Sequence, residues 1–137
     1  MTESLGINKS LSEKSVHSVV RCLAIETSCD DTSVAVVESD VQGDVFVRSL
    51  VSANQDAAHA PHGGIVPEIA CRNHSMHLLF LLEQALEKAN HQSNVPSALQ
   101  WKNIDCIAVT NRPGLVGSLI VGLMTAKSLS QSQEIPF

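Results

Sequence analysis

Gly63-Gly64-Ile65-Val66-Pro67-Glu68-Ile69-Ala70-Cys71-Arg72-Asn73-His74 is where this chain changes its hydrophobic period. Upstream, apolar residues come in short β-branched runs; downstream they recur at three- and four-residue spacing. Pro67 suits the first turn of a helix, where its missing N–H has no partner to lose. Glu68 then stands beside the positive end of the helix dipole. Arg72 and His74 follow four and six residues after Glu68. Two readings of the stretch stay open: a well-capped helix start, or a functional loop feeding a helix.

Working outward, Leu78, Leu79, Leu82, Ala85, Leu86 and Ala89 predict one buried stripe on a long helix over residues 67–89. Residues 22–26 and 33–38 are apolar runs on either side of a polar turn, which predicts a hairpin. A third strand is expected at 45–52, after the Gln42-Gly43-Asp44 turn. Residues 53–66 read as a loop rich in Ala, His and Gly. Beyond the helix, 90–102 is a polar connection broken by Pro96, and 104–110 is a buried strand. A second helix is expected over 115–131, with Gly117, Ser118, Gly122 and Ala126 permitting close packing on a sheet. Ile135-Pro136-Phe137 looks like the approach to another strand. The order β-β-β-α-β-α is an antiparallel meander followed by a crossover, so a mixed α/β domain is predicted.

The chain has 137 residues, 44% of them hydrophobic and 17% charged, which permits one domain with a packed core. Aromatics make up only 3%, with no Tyr, so the core is expected from Leu, Ile, Val and Ala. A net charge of −5 disfavours this segment as a nucleic-acid-binding surface by itself. Cys22, Cys29, Cys71 and Cys106 show no CxxC spacing; reduced thiols in a cytoplasmic protein are expected rather than zinc ligands. Residues 1–21 have scattered charges and no apolar centre, and read as a flexible extension. The apolar stretch 115–126 is too short for a bilayer, so no membrane partner is expected.

Three segments carry candidate chemistry. The first is Leu23-Ala24-Ile25-Glu26-Thr27-Ser28-Cys29-Asp30-Asp31-Thr32. Glu26 ends a strand, and the turn after it can present inward-pointing amides to an anion. Asp30 and Asp31 add negative charge, which conflicts with simple phosphate binding unless a cation intervenes. Their other use is general base catalysis, and the bland alternative is an Asx-turn closing a hairpin. Nothing nearby in sequence activates Cys29 as a nucleophile. The second segment is Asn111-Arg112-Pro113-Gly114-Leu115, followed by Gly117: a strand–turn–helix junction suited to an anion, or to tight packing alone. The third is the opening stretch. His74 and His77, three apart on its helix, could share a face, as metal ligands or as a partly exposed pair.

Taken together, these motifs resemble the family of tRNA N6-adenosine threonylcarbamoyltransferases, once described as glycoproteases. The resemblance runs from about Cys22 to Phe137, in the family's order and spacing. It implies the ribonuclease-H-like lobe of the actin-like ATPase superfamily, with 22–137 an incomplete first lobe. It implies transfer of a threonylcarbamoyl group from threonylcarbamoyl-adenylate to the adenosine 3′ of the anticodon. Asp30, then Asp31, would serve the transfer. Glu26, Ser28, Asn111, Arg112, Pro113, Gly114 and Gly117 would organise the adenylate or ATP. His59, Glu68, Arg72 and His74 would support the cleft or a partner interface. The family has glycine where Arg112 stands, so either the turn needs no positive φ there, or its shape differs, or Arg112 contacts phosphate directly. One divalent metal, iron or zinc, is implied for full-length members, with ligands beyond Phe137 and none expected on this chain alone. Implied partners are tRNA, reached through a complex, and other subunits that include a paralogous lobe protein. Two further readings compete. One is a non-catalytic lobe that pairs through the 67–89 helix; the other is an ATPase or sugar kinase of the same superfamily, which the Gly63–His74 stretch disfavours.

Overall fold

The computed structural model describes residues 19–91 and 100–137. β1 (Val20–Glu26) and β2 (Thr32–Ser39) form the expected hairpin, and β3 (Val45–Ala53) extends it. A four-residue helix α1 (Asp56–His59) and a 3-10 turn (Ala60–His62) lead to the long α2 (Pro67–His91). A 3-10 turn (Trp101–Asn103), β4 (Cys106–Val109) and α3 (Val116–Gln133) complete the order. Among the described residues these strands make one sheet in the order β3-β2-β1-β4. β1 pairs antiparallel with β2 and parallel with β4, and β2 pairs antiparallel with β3 across a bulge at Val36/Val37. After α3 the chain returns to the β4 edge, where the Ile107 N–H donates to the Pro136 carbonyl at 2.9 Å. Residues 135–137 thus do approach as a further strand.

Strand alternation sorts the side chains onto two faces. Leu23, Ile25, Val34, Val36, Val51 and Ile107 point to one face and are buried there. Leu78, Leu81, Leu82, Ala85, Leu86 and Ala89 of α2 meet them, with Ala126 of α3 and Ile104 closing the core. The Ser49 hydroxyl donates to the Ala85 carbonyl at 2.7 Å, so the one buried hydroxyl of β3 is satisfied by α2. On the other face Ala24 and Ala35 are half-buried, while Ala108 and Leu50 are exposed.

Several expectations need correction. Leu79 is 64% exposed and does not belong to the buried stripe. The buried positions run 70, 74, 78, 81, 82, 85, 86, 89, and Leu79 falls on a second stripe with Met76 and Phe80. The segment 53–66 contains α1 and a 3-10 turn rather than loop throughout. β1 begins at Val20, inside the predicted extension; residues 1–18, which carry the rest of that prediction, lie outside the described residues. So do residues 92–99 of the predicted connection. β4 is shorter than 104–110, because Ile104 is the C-cap of the preceding turn.

Candidate functional site

The carboxyl ends of β1 and β4 meet two turns and the first half of α2, and all three sequence motifs converge there. Glu26 is the last residue of β1. Its Oε1 accepts from the Ser28 N–H at 2.6 Å, and its Oε2 accepts a short hydrogen bond from the Thr110 hydroxyl. Burial pushes this carboxyl up, but the bonds from Ser28 and Thr110, aided by His74, outweigh it and hold Glu26 below the usual carboxylate range. Glu26 is therefore an ionised strut between the two strand ends.

The turn after β1 is clamped from two sides. The Leu115 N–H donates to the Ser28 carbonyl at 2.8 Å. A Cβ on Gly114 would lie 2.4 Å from that same carbonyl oxygen, so only glycine lets the Pro113–Leu115 turn come this close. The Thr27 hydroxyl donates to the Ser118 carbonyl at 2.8 Å, and the Ser118 hydroxyl donates to the Cys29 carbonyl at 3.3 Å. A Cβ on Gly122 would meet the Thr27 Oγ1 at 2.4 Å, so α3 too needs glycine at its contact with this turn. From the other side, the fully buried His74 reaches out of α2. Its Nε2 lies 3.0 Å from the Cys29 carbonyl and its Nδ1 lies 2.7 Å from the Thr32 hydroxyl. A carbonyl only accepts, so Nε2 carries the proton; in the neutral ring, Nδ1 then accepts from Thr32. His74 fixes the turn rather than facing solvent, and its partly buried neighbour His77 does not share that role.

Asp30 and Asp31 part company. Asp31 is exposed and accepts from the Asn54 amide at 3.2 Å, which ties the hairpin turn to the end of β3. Asp30 is half-buried and lines a shallow depression with Asp56, His59, Ala60, Gly64 and Ile65. His59 is buried, and its Nδ1 accepts from the Val66 N–H at 3.2 Å. Burial, followed by the hydrogen bond and charge of Asp30, raises the Cys29 thiol, so this cysteine is protonated and a poor nucleophile.

The second turn sits at the rim. Asn111, Arg112, Pro113, Gly114 and Gly117 are all exposed beside the clamped turn. Among the described non-glycine residues only Glu134 has a positive φ, so the turn does not require one at Arg112. Leu115 caps α3 without a side-chain bond, which leaves the first amides of that helix open to an acceptor. Glu68 and Arg72 are exposed on the first turns of α2, and neither is in an ion pair among the described residues. No group of three or more His, Cys, Asp or Glu side chains among the described residues comes together to hold a metal ion. Thr27, Thr32, Thr110 and Ser118 belong to the site but were not singled out from the sequence as its clamps. Their signal, hydroxyls at strand ends and at a helix start, is too common to stand out.

A three-strand meander with a parallel fourth strand, helices on one face and loops meeting at the strands' carboxyl ends define an α/β lobe of the actin-like ATPase type. YeaZ from Pseudomonas aeruginosa shares this fold, with a TM-score of 0.55 at 18% identity over 86% of this chain and 42% of that one. The model of the tRNA N6-adenosine threonylcarbamoyltransferase family matches residues 46–137. A relative of that name from Bdellovibrio bacteriovorus is 57% identical over 119 residues, covering 87% of this chain. Another from Brucella anthropi is 47% identical over 118 residues, covering 86%. The chain belongs to the tRNA N6-adenosine threonylcarbamoyltransferase family, and it spans 31% of the length of each of these two relatives. No helix among the described residues is long and apolar enough to cross a membrane.

Proposed function

We propose that residues 22–137 act as the first lobe of a tRNA-modifying acyltransferase that works in the cytoplasm. The reaction joins N6 of the adenosine 3′ of the anticodon to the carbonyl carbon of threonylcarbamoyl-adenylate, with AMP leaving. The observation that carries this reading is the convergence of three sequence-distant motifs on the Ser28 and Cys29 carbonyls. That clamp leaves Asp30 at the edge of a depression and the open amides of α3 at the rim of the neighbouring turn. Asp30 accepts the proton that N6 loses. Asp31, already engaged by Asn54, keeps the turn in register and contributes less. The helix start at 115–117 and Arg112 face the adenylate phosphate. Glu26 and Ser28 hold the strand ends beneath it, while His59 and His74 support the cleft wall. Iron or zinc is bound by residues outside this set.

With a net charge of −5, tRNA is engaged through other subunits rather than by a basic face of this chain. Met76, Leu79 and Phe80 on α2, with Ile120 and Met124 on α3, are each more than half exposed and suit a paralogous lobe as partner. The same stripe favours the second reading, a non-catalytic partner lobe.

One experiment separates the two readings. Residues 22–137 replace the matching segment of the Bdellovibrio bacteriovorus relative, and tRNA threonylcarbamoyladenosine is measured by nucleoside mass spectrometry. Asp30→Ala in this chimera is expected to lower modification by about 100-fold or more with folding intact, and Asp31→Ala by much less. Full transfer by Asp30→Ala rejects the assignment of the base. A folded but inactive parent chimera that still pairs with a partner lobe supports the second reading.

A further inference from the structure

Cys22 in β1 and Cys106 in β4 are register partners across the parallel ladder. Adjacent strands lie about 4.8 Å apart, within the Cα separation of about 4.4–6.8 Å that a disulfide accepts. Their chain neighbours Leu23 and Ile107 are buried against the helices. Alternation therefore puts both thiols on the opposite, uncovered face, side by side. Both are free and only partly buried. Burial first, and then the hydrogen-bonding contact with Cys106, push the Cys22 thiol up to about 11. Cys29 lies in the turn and Cys71 on α2, where its thiol donates to the Gly117 carbonyl at 3.5 Å; neither is the register partner of another cysteine. The transfer chemistry proposed above uses neither Cys22 nor Cys106.

We propose that Cys22 and Cys106 form a reversible thiol–disulfide pair that exchanges with low-molecular-weight disulfides. The Cys106 sulfur, once it has lost its proton to solvent, attacks the small disulfide. It bonds to one sulfur of the small disulfide, whose S–S bond breaks, and a small thiolate leaves and takes up a proton. Cys22 then loses its proton to solvent and attacks the Cys106 sulfur, expelling the second small thiolate. Two protein thiols are oxidised by two electrons in total, and one small disulfide becomes two small thiols. The bridge staples β1 to β4 four residues before Glu26 and Thr110, whose side chains already join the same two strands. It therefore stiffens the floor of the candidate site.

The test is thiol mapping of the folded chain after exposure to excess oxidised glutathione, with acid quenching and alkylation. Four cysteines are present, and the free-thiol count is expected to fall from four to two, with one peptide pair linked through Cys22 and Cys106. Dithiothreitol is expected to restore all the thiols. Cys22→Ser is expected to stop at a glutathione adduct on Cys106, and a C29S/C71S double variant to form the same bridge as the parent. The same reaction in concentrated urea is expected to give mixed pairings, which ties the specificity to the fold. The proposal is overturned if the folded chain retains four thiols, if it accumulates stable glutathione adducts without a bridge, or if Cys29 or Cys71 supplies a partner.

Discussion

His74 and Gly114 hold one turn by opposite means, the first through two hydrogen bonds and the second by having no side chain. Removing the His74 ring takes away the partner of the buried Thr32 hydroxyl and leaves the Cys29 carbonyl only the longer bond from the Ser118 hydroxyl. His74→Ala is expected to cost about 3 kcal/mol in urea unfolding, and a loss below about 0.5 kcal/mol contradicts the clamp. Gly114→Ala drives a methyl into the Ser28 carbonyl, whereas nothing lies within 4 Å of a Cβ on Gly64. The first is expected to destabilise by about 1–3 kcal/mol and Gly64→Ala by under about 0.5 kcal/mol; equal effects count against the close approach. His74 could be picked out as a candidate because it stands inside a recognisable motif, as does Asp30, whose role remains a proposal. The clamping partners of His74 and Glu26 are not legible, because Thr32 lies 42 residues from His74 and Thr110 lies 84 from Glu26. No local pattern encodes such pairings.

At the scale of elements, the β1–β2–β3 unit also carries the pH dependence. Glu38 accepts from the Arg21 Nε at 2.8 Å and makes a short ion pair with Arg48. Burial pushes the Glu38 carboxyl up, but Arg48 and Arg21 outweigh it and hold it low, as Ser28 and Thr110 do for Glu26. Both groups are depressed on folding, so the unfolded chain binds more protons in the acid range. Their contribution to stability is complete above the ordinary carboxylate range and is lost as the pH falls through the lower folded values. Thermal midpoints should therefore fall on acidification, less steeply in Glu38→Gln, and identical slopes for the two proteins contradict this. Helix α2 shows where sequence periodicity stops informing. Its apolar residues form two stripes, and spacing alone does not say which one the sheet takes. Packing against β2 and β3 selects 78–82–85–89, which leaves Leu79 with Met76 and Phe80 outside. Leu79→Ser is therefore expected to change stability by no more than about 0.5 kcal/mol. A loss of several kcal/mol returns Leu79 to the core. Helix α1 escaped detection because four residues are too few to show a period.

As a whole, the molecule has one covered sheet face and one bare face. Leu50, Val47 and Val45 of β3 are each more than 60% exposed, as are Met76 and Leu79 on the helical side. Surfaces of this kind associate, so the chain alone is expected to sediment as species larger than a monomer, and a monodisperse monomer contradicts that. The strand and helix order was readable because the hydrophobic period switches cleanly at Gly63–Pro67, and the carboxyl-end location of the site follows from that order. The proposed function requires that these residues make a working transferase lobe. The most direct test is the parent chimera with the Bdellovibrio bacteriovorus relative, supplied as the only such enzyme to unmodified tRNA. Threonylcarbamoyladenosine is expected to accumulate in that tRNA. A correctly folded chimera that leaves the tRNA unmodified contradicts it.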